Sequence, residues 1–275
     1  EGLAARAAAI GLLGLVLGEG RLLAQAVVDA EGPLAGLTPA DRARAQRLAL
    51  AVLRHLEPAD RVLDAHLRKN PPQMVRDALR LAVVEIAQGG AAHGAVNAAV
   101  EIVRRGNRTG HMAGLVNAVL RQVPEHPLAA LPPQRLPRWL RQPLVHLHGR
   151  DAVSLIESVQ AKAPPVDLTL RAGFDAPEGE LLPSGSLRLT DPGQISALPG
   201  YAEGGWWVQD AAAALAVQLL APQRGEKVLD LCAAPGGKTM QLASAGWRVT
   251  ALDSSAKRLE RMRANLARTG LEAEL

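Results

Sequence analysis

The chain has 275 residues, with 31 Lys and Arg against 27 Asp and Glu for a formal charge of +4, and 48% of it is hydrophobic. At roughly 100–200 residues per domain, that length holds two domains at most, and the apolar fraction excludes a chain disordered throughout. The single cysteine, Cys232, excludes a disulfide framework and a Cys-ligated structural zinc site within the chain.

Residues 1–125 read as helices joined by short Gly and Pro breaks. The first two predicted helices are Leu3–Leu17 and Arg21–Val28. Ala7–Leu17 is too short for the roughly 20 residues a bilayer needs, and no small-residue cleavage site follows it. Thr38 and Pro39 form a helix start, with Thr as N-cap and Pro at the first helical position. The helix after them places Ala45, Leu48, Ala49, Val52 and Leu56 on one stripe and Arg44, Arg47 and Arg54 on the other face. Pro58 is expected to open a short helix to about Leu67. Pro71 and Pro72 open the next, with Val75, Leu79, Ala82, Val83 and Ile86 buried, ending at Gly89-Gly90. Gly94–Arg105 and Met112–Val123 complete a predicted bundle of seven helices.

Residues 126–205 change character. Prolines at 127, 132, 133, 137 and 143 mark a linker. A helix over Arg150–Gln160 and strands at Asp167–Arg171 and Ser186–Thr190 predict a small α/β insert. From Trp206 to Leu275 the order is strand, helix, strand, helix. Lys227–Leu231 reads as a buried strand, Lys238–Ser244 as a helix, and Arg248–Leu252 as a second strand. Ser255–Arg268 follows as a helix with Leu259, Met262 and Leu266 on one face. This alternation predicts a Rossmann-type α/β domain. Two parallel strands cannot bury both faces of such a sheet, so the domain is expected to be incomplete within these 275 residues.

The segment Val228–Thr239 carries the chemistry. An apolar strand runs into a turn of small residues, Ala233, Ala234, Gly236 and Gly237, and a helix follows. Small residues let a ligand approach the backbone, and a helix N-terminus favours an anionic group. Asp253 lies 23 positions after Asp230, at the end of the second strand, where an acid grips a ribose diol. A nucleoside-containing ligand is therefore expected. The turn lacks the G-x-G-x-x-G of dinucleotide folds, and of a phosphate-binding loop it has only the Gly237-Lys238-Thr239 end. A carboxylate-bearing nucleoside such as S-adenosylmethionine fits better.

The charge is chemically lopsided, with 26 Arg and five Lys. Arginine suits bidentate phosphate contact, although composition bias also raises it together with alanine. Arg258, Arg261, Arg263 and Arg268 resemble an RNA track, but a solvated helix face is the plainer reading. His93, at a helix start, reads as structural rather than RNA-contacting, and Trp206-Trp207 as core or sheet-edge packing.

The run Asp230–Thr239 closely resembles the first cofactor motif of the RsmB/NOP2/Sun family of RNA cytosine-C5 methyltransferases. The resemblance extends to Gly205–Asp210, Val249–Asp253, Arg258-Leu259, Asn265–Arg268 and Gly270. Ahead of it, Ala92–Asn97 with Glu101, and Gly114–Arg121, resemble the NusB-like RNA-binding domain found in one branch of that family. The resemblance implies an all-α NusB-like bundle (1–125), a linker and small α/β insert (126–205) and the start of a methyltransferase domain (206–275). It implies S-adenosylmethionine as cofactor, held by Cys232, Ala233, Ala234, Pro235, Gly236, Gly237, Lys238 and Asp253. It also implies 16S rRNA as partner, a cytoplasmic monomer with no metal and no membrane, and 5-methylcytosine as product.

Two departures stand out. Residues 171–186 are short for the family. The family's Asp-Ala-Pro-Cys and Thr-Cys-Ser motifs, which carry its two catalytic cysteines, do not occur in these 275 residues. Cytosine C5 needs a thiolate added at C6 before it can take a methyl group. Cys232, in the cofactor turn, reads as a small residue beside the ligand and not as that nucleophile. No catalytic residue is therefore expected in these 275 residues. Two other readings stay open: a non-catalytic NusB-like RNA-binding module, and a methyltransferase acting on tRNA.

Overall fold

A computed structural model describes residues 2–190, 192–220 and 225–275. The chain forms two units, Glu1–Ala163 and Pro164–Leu275.

The first unit is helical. Its first seven α-helices are α1 (Leu3–Leu13), α2 (Leu23–Val28), α3 (Pro39–Arg54), α4 (Leu56–Asp64), α5 (Gln73–Ala87), α6 (Ala92–Arg105) and α7 (Ala113–Leu120). The stretch expected as one helix over Leu3–Leu17 is α-helical only to Leu13, then continues as a π-helical turn over Gly14–Gly18. Glycine has a low helical preference, and π-turns occur as single-turn insertions of this kind. At the start of α3, Thr38 Oγ1 accepts from the Asp41 amide at 3.2 Å. Ala45, Ala49 and Val52 are fully buried, while Leu48 and Leu56 pack half-buried against the same core. α4 starts at Leu56 rather than Pro58. Pro58 is its third residue, where an N–H would have no intrahelical acceptor anyway.

α5 is the central helix. Val75, Leu79, Ala82, Val83 and Ile86 are buried as expected, and so are Asp77 and Arg80. A helix covered on most sides is a core helix, and its two buried charges must pair. Arg80 reaches Asp77 at 2.8 Å and Asp60 of α4 at 2.7 Å, and Arg76 also bonds Asp60. Burial raises the Asp77 carboxyl above its ordinary range, against the lowering by Arg80 and Gln73.

The proline-rich stretch after α7 ends in α8 (Arg138–Gln160), which is longer than the expected Arg150–Gln160. Gly149, at φ 83°, splits α8 into two helical segments, the second of which begins where the sequence reading placed it. Proline density hid the first segment. Glu157, buried on the second segment, accepts from the Leu136 amide at 2.9 Å and Arg141 Nε at 2.8 Å, joining the two segments.

The second unit contains two sheets. β1 (Val166–Leu170), β2 (Glu180–Leu181), β3 (Leu187–Leu189) and β4 (Trp206–Val208) form an antiparallel sheet in the order β2-β3-β1-β4. β1 and β3 match the two strands expected in this region. Trp206 and Trp207 are buried on the edge strand β4, in packing roles. α9 (Ala211–Gln218) follows, capped by Asp210, which accepts from the amides of Ala212 and Ala213.

β5 (Lys227–Leu231) and β6 (Arg248–Leu252) pair in parallel, with α10 (Gly237–Ser244) and α11 (Ala256–Thr269) after them. Glu274 continues the pattern through a parallel bridge to Thr250. The expectation that Lys227–Leu231 is buried is corrected. Val228, Val249 and Ala251 face the helices, but Leu229, Leu231 and Leu252 are 58%, 61% and 59% exposed. Side chains alternate between faces along a strand, and among the described residues helices cover only one face.

Candidate functional site

β5 and β6 end level with each other, Leu231 opposite Leu252. Ligands of open α/β sheets bind outside such carboxyl ends. The turn that lies there is built tightly. Cys232 adopts φ 59°, and the Ala233 amide donates to Leu252 O at 3.0 Å. The Ala234–Pro235 peptide is cis. The Gly236 amide donates to Ala233 O at 2.9 Å, and Gly236 itself stands at φ 105°. A Cβ there would sit 3.0 Å from Met262 Cγ, so this position needs glycine for both backbone and space. α10 begins at the next residue, and the first amides of a helix lack intrahelical acceptors.

Four side chains fasten this turn. Thr239 Oγ1 donates to Asp230 Oδ2 at 2.6 Å, tying α10 to β5. Asp253 Oδ2 accepts from the Ala234 amide at 3.1 Å, and Asp253 Oδ1 accepts from the Ser255 amide at 2.9 Å. Arg258 bonds Asp253 at 3.2 Å and also donates to Ala234 O. Asn265 Nδ2 donates to Pro235 O at 2.9 Å.

The structure brings all eight expected ligand residues to this one end of the sheet. Cys232, Pro235 and Lys238 are exposed and Gly237 half-exposed, whereas Ala233, Ala234 and Gly236 are buried and shape the turn. The Asp253 side chain is only 1% exposed and already holds the turn and Arg258. Its two oxygens offer about four acceptor sites. A diol can therefore share it only where Arg258 yields part of its contact.

Arg258, Asn265 and Thr239 were not singled out from the sequence for this role. The available signal was that all three lie in the segments carrying the family resemblance, Asp230–Thr239, Arg258-Leu259 and Asn265–Arg268. The arginines of α11 do not form one solvated face. Arg258 turns into the site, and Arg268 lies 4.2 Å over the Tyr201 ring and donates to Tyr201 O at 2.7 Å. Arg263 pairs with Glu260, and Arg261 is exposed. His93 is exposed in the first turn of α6.

A buried amide relay lies behind the turn. Gln209 Oε1 accepts from Thr169 Oγ1 at 2.7 Å and from Trp207 Nε1 at 2.9 Å. Gln209 Nε2 donates to Gln241 Oε1 at 2.8 Å, and Gln241 Nε2 donates to Ala214 O at 3.0 Å.

Comparison with known proteins adds two family matches. Residues 4–125 match the NusB family, and residues 217–275 match the family described as 16S rRNA methyltransferase RsmB/F. The chain is similar to the ribosomal RNA small subunit methyltransferase B of Xanthomonas campestris pv. campestris, at 33% identity over 98% of this chain and 65% of that protein. It is 42% identical to the protein of that name from Citrobacter koseri over 51% of this chain and 30% of that one. It thus spans less than two thirds of the length of these relatives. The crystal structure of PH0851 shares the fold, with TM-score 0.62 at 19% identity, covering 98% of this chain and 68% of that one.

Proposed function

We infer, for a chain that joins a NusB-family domain at residues 4–125 to an RsmB/F-family segment at residues 217–275, that it serves as an RNA methyltransferase using S-adenosylmethionine. The observation that carries this reading is the turn at the ends of β5 and β6, fastened through the Ala234 amide to Asp253.

The residues present fit that ligand. The first amides of α10 suit its carboxylate, and exposed Lys238 adds a cation there. Asp253 suits the ribose diol. Gly236 keeps side-chain bulk out of the turn, and Cys232 and Pro235 stand on the exposed rim beside the nucleoside. S-adenosylmethionine held there supplies a methyl sulfonium to an RNA nucleophile.

The finer reading is C5 of a cytosine in 16S rRNA. A cysteine thiolate would add at C6, C5 would take the methyl group as the sulfur–methyl bond breaks and S-adenosylhomocysteine leaves, and a base would remove the C5 proton as the thiolate departs. Cys232 belongs to the ligand turn, so we assign the nucleophile to the part of the enzyme that the relatives possess outside the matched length. The division proposed is an RNA-docking domain over 1–125, a connecting region over 126–205 and the opening of the methyltransferase domain over 206–275. The enzyme works in the cytoplasm, where the ribosomal substrate is made. Residues 1–125 favour rRNA over tRNA as the substrate.

The test is calorimetric titration of the chain with S-adenosylmethionine. Binding is expected, and Asp253→Ala is expected to weaken it at least about tenfold, the scale of a lost charge-assisted hydrogen bond. No binding by the unmodified chain overturns the methyltransferase reading in favour of a pure RNA-binding module. Unchanged affinity in Asp253→Ala refutes the ribose role alone.

A further inference from the structure

We propose that Gln209 is a positioning residue for the ligand turn: through Gln241 it sets the placement of the first turn of α10 against the antiparallel sheet. Gln209 and Gln241 are 6% and 9% exposed, and their side chains bond each other at 2.8 Å. Gln209 stands just beyond β4, while Gln241 lies on α10 four residues after its start. The bond therefore spans from one sheet to the helix that opens the ligand turn.

The relay is anchored at both ends. On one side Gln209 Oε1 takes two donors, Thr169 Oγ1 on β1 and Trp207 Nε1 on β4. On the other, Gln241 Nε2 reaches Ala214 O on α9. Each amide is thereby fixed in orientation, because reversing either would set donor against donor or acceptor against acceptor. The Gln209 side chain also forms the wall behind Gly237. A Cβ on Gly237 would meet its Cδ and Cγ at 3.6 Å, an ordinary contact distance. Gln209 therefore lies beside the first residue of α10 and hydrogen-bonds the fifth.

Buried polar networks are worth most when every member is satisfied, and the loss of one member leaves its partners unpaired. Removing the Gln209 amide leaves Trp207 Nε1 without its acceptor and Gln241 Oε1 without its donor. The start of α10 then loses its fixed placement even though Gly236, Gly237 and Asp253 are intact. Gln209 is not offered as a ligand contact, and its proposed effect on cofactor affinity rests on the S-adenosylmethionine reading above.

Two measurements on the full chain separate this proposal from that reading. The first is amide hydrogen exchange across residues 240–244, the first amides of α10 with helical acceptors, in Gln209→Met, Gln241→Met and Thr169→Val. The second is titration of the same variants with S-adenosylhomocysteine. In Gln209→Met, exchange over 240–244 is expected to rise about tenfold, a local opening on the scale of one lost buried hydrogen bond. Exchange over 187–189 should stay unchanged and affinity should fall by about the same factor. Thr169→Val keeps the shape and removes one of two donors, so a smaller change in the same direction is expected. Unchanged exchange at 240–244 overturns the proposal, and so does a rise spread equally over 187–189 and 256–269. If the unmodified chain takes up no S-adenosylhomocysteine, the cofactor reading fails and the exchange measurement alone decides the role of Gln209.

Discussion

The helical unit and the α/β unit are held together by different means. In the helical unit one continuous apolar core runs from Ala5 to Leu120, with α5 at its centre. In the α/β unit the apolar clusters are small, and side chains bonded to backbone fasten the loops. Arg258 and Asp253 grip Ala234, Asn265 grips Pro235, and Arg268 grips Tyr201 and Trp206. Helix-on-helix packing needs only apolar stripes of the right period. The turn at 232–236 carries backbone groups outside helix and strand, so packing alone cannot hold it and directional bonds take over.

The largest expected effect tests the continuous core. Leu79→Ala, at a fully buried site, should cost about 2–5 kcal/mol in urea unfolding. Leu231→Ala, on the exposed face of β5, should cost under about 0.5 kcal/mol, as surface changes do. Equal costs would break the comparison.

Glycines sharpen it further. Gly236→Ala should lose about 1–2 kcal/mol, the usual penalty of a positive φ, with added crowding against Met262. Gly114→Ala in α7 has open space and an ordinary φ, so it should gain about 0.5–1 kcal/mol. Thermal melts of the two variants check the opposite signs.

Acid separates the units by direction. Burial raises the Asp77 carboxyl, so its ionisation opposes folding. That penalty is absent below the ordinary value of 3.8 and grows as the pH rises through the raised folded value. The hydrogen bond from Arg188 lowers Asp167. Its contribution is full above 3.8 and is lost as the pH falls through the lowered folded value. Between pH 7 and pH 3, Asp77→Asn should therefore remove a stabilisation gained on acidification, and Asp167→Asn should remove a loss. Segment-resolved hydrogen exchange at the two pH values distinguishes them, and parallel shifts would refute the contrast.

Much of the helical unit was legible from period alone. Val75, Leu79, Ala82, Val83 and Ile86 fall on helical spacing, and each is buried. Asp77 and Arg80 could not be read as buried, because their pairing depends on Asp60 in another helix. In the α/β unit the strand–turn–helix of 227–244 was legible because glycine and proline mark the turn. β3 was legible as well, but β2 and β4, of two and three residues, are too short for a period to register. The partners of Gln209, Gln241 and Arg258 were not legible, because a polar side chain's partner is set by three-dimensional placement, not by spacing along the chain.

The sequence by itself determined the helices of residues 1–125, the strands β1, β3, β5 and β6, and the position of the glycine-rich turn and of Asp253. These follow from side-chain period, from glycine and proline, and from short-range spacing, all of which are local. Tertiary structure alone decided that Asp253 is spent in part on Ala234 and Arg258, that one face of β5 stays exposed, and that two glutamines brace α10 from behind. Each of those depends on which atoms meet across long stretches of chain, and hydrogen bonds form only where geometry brings donor to acceptor.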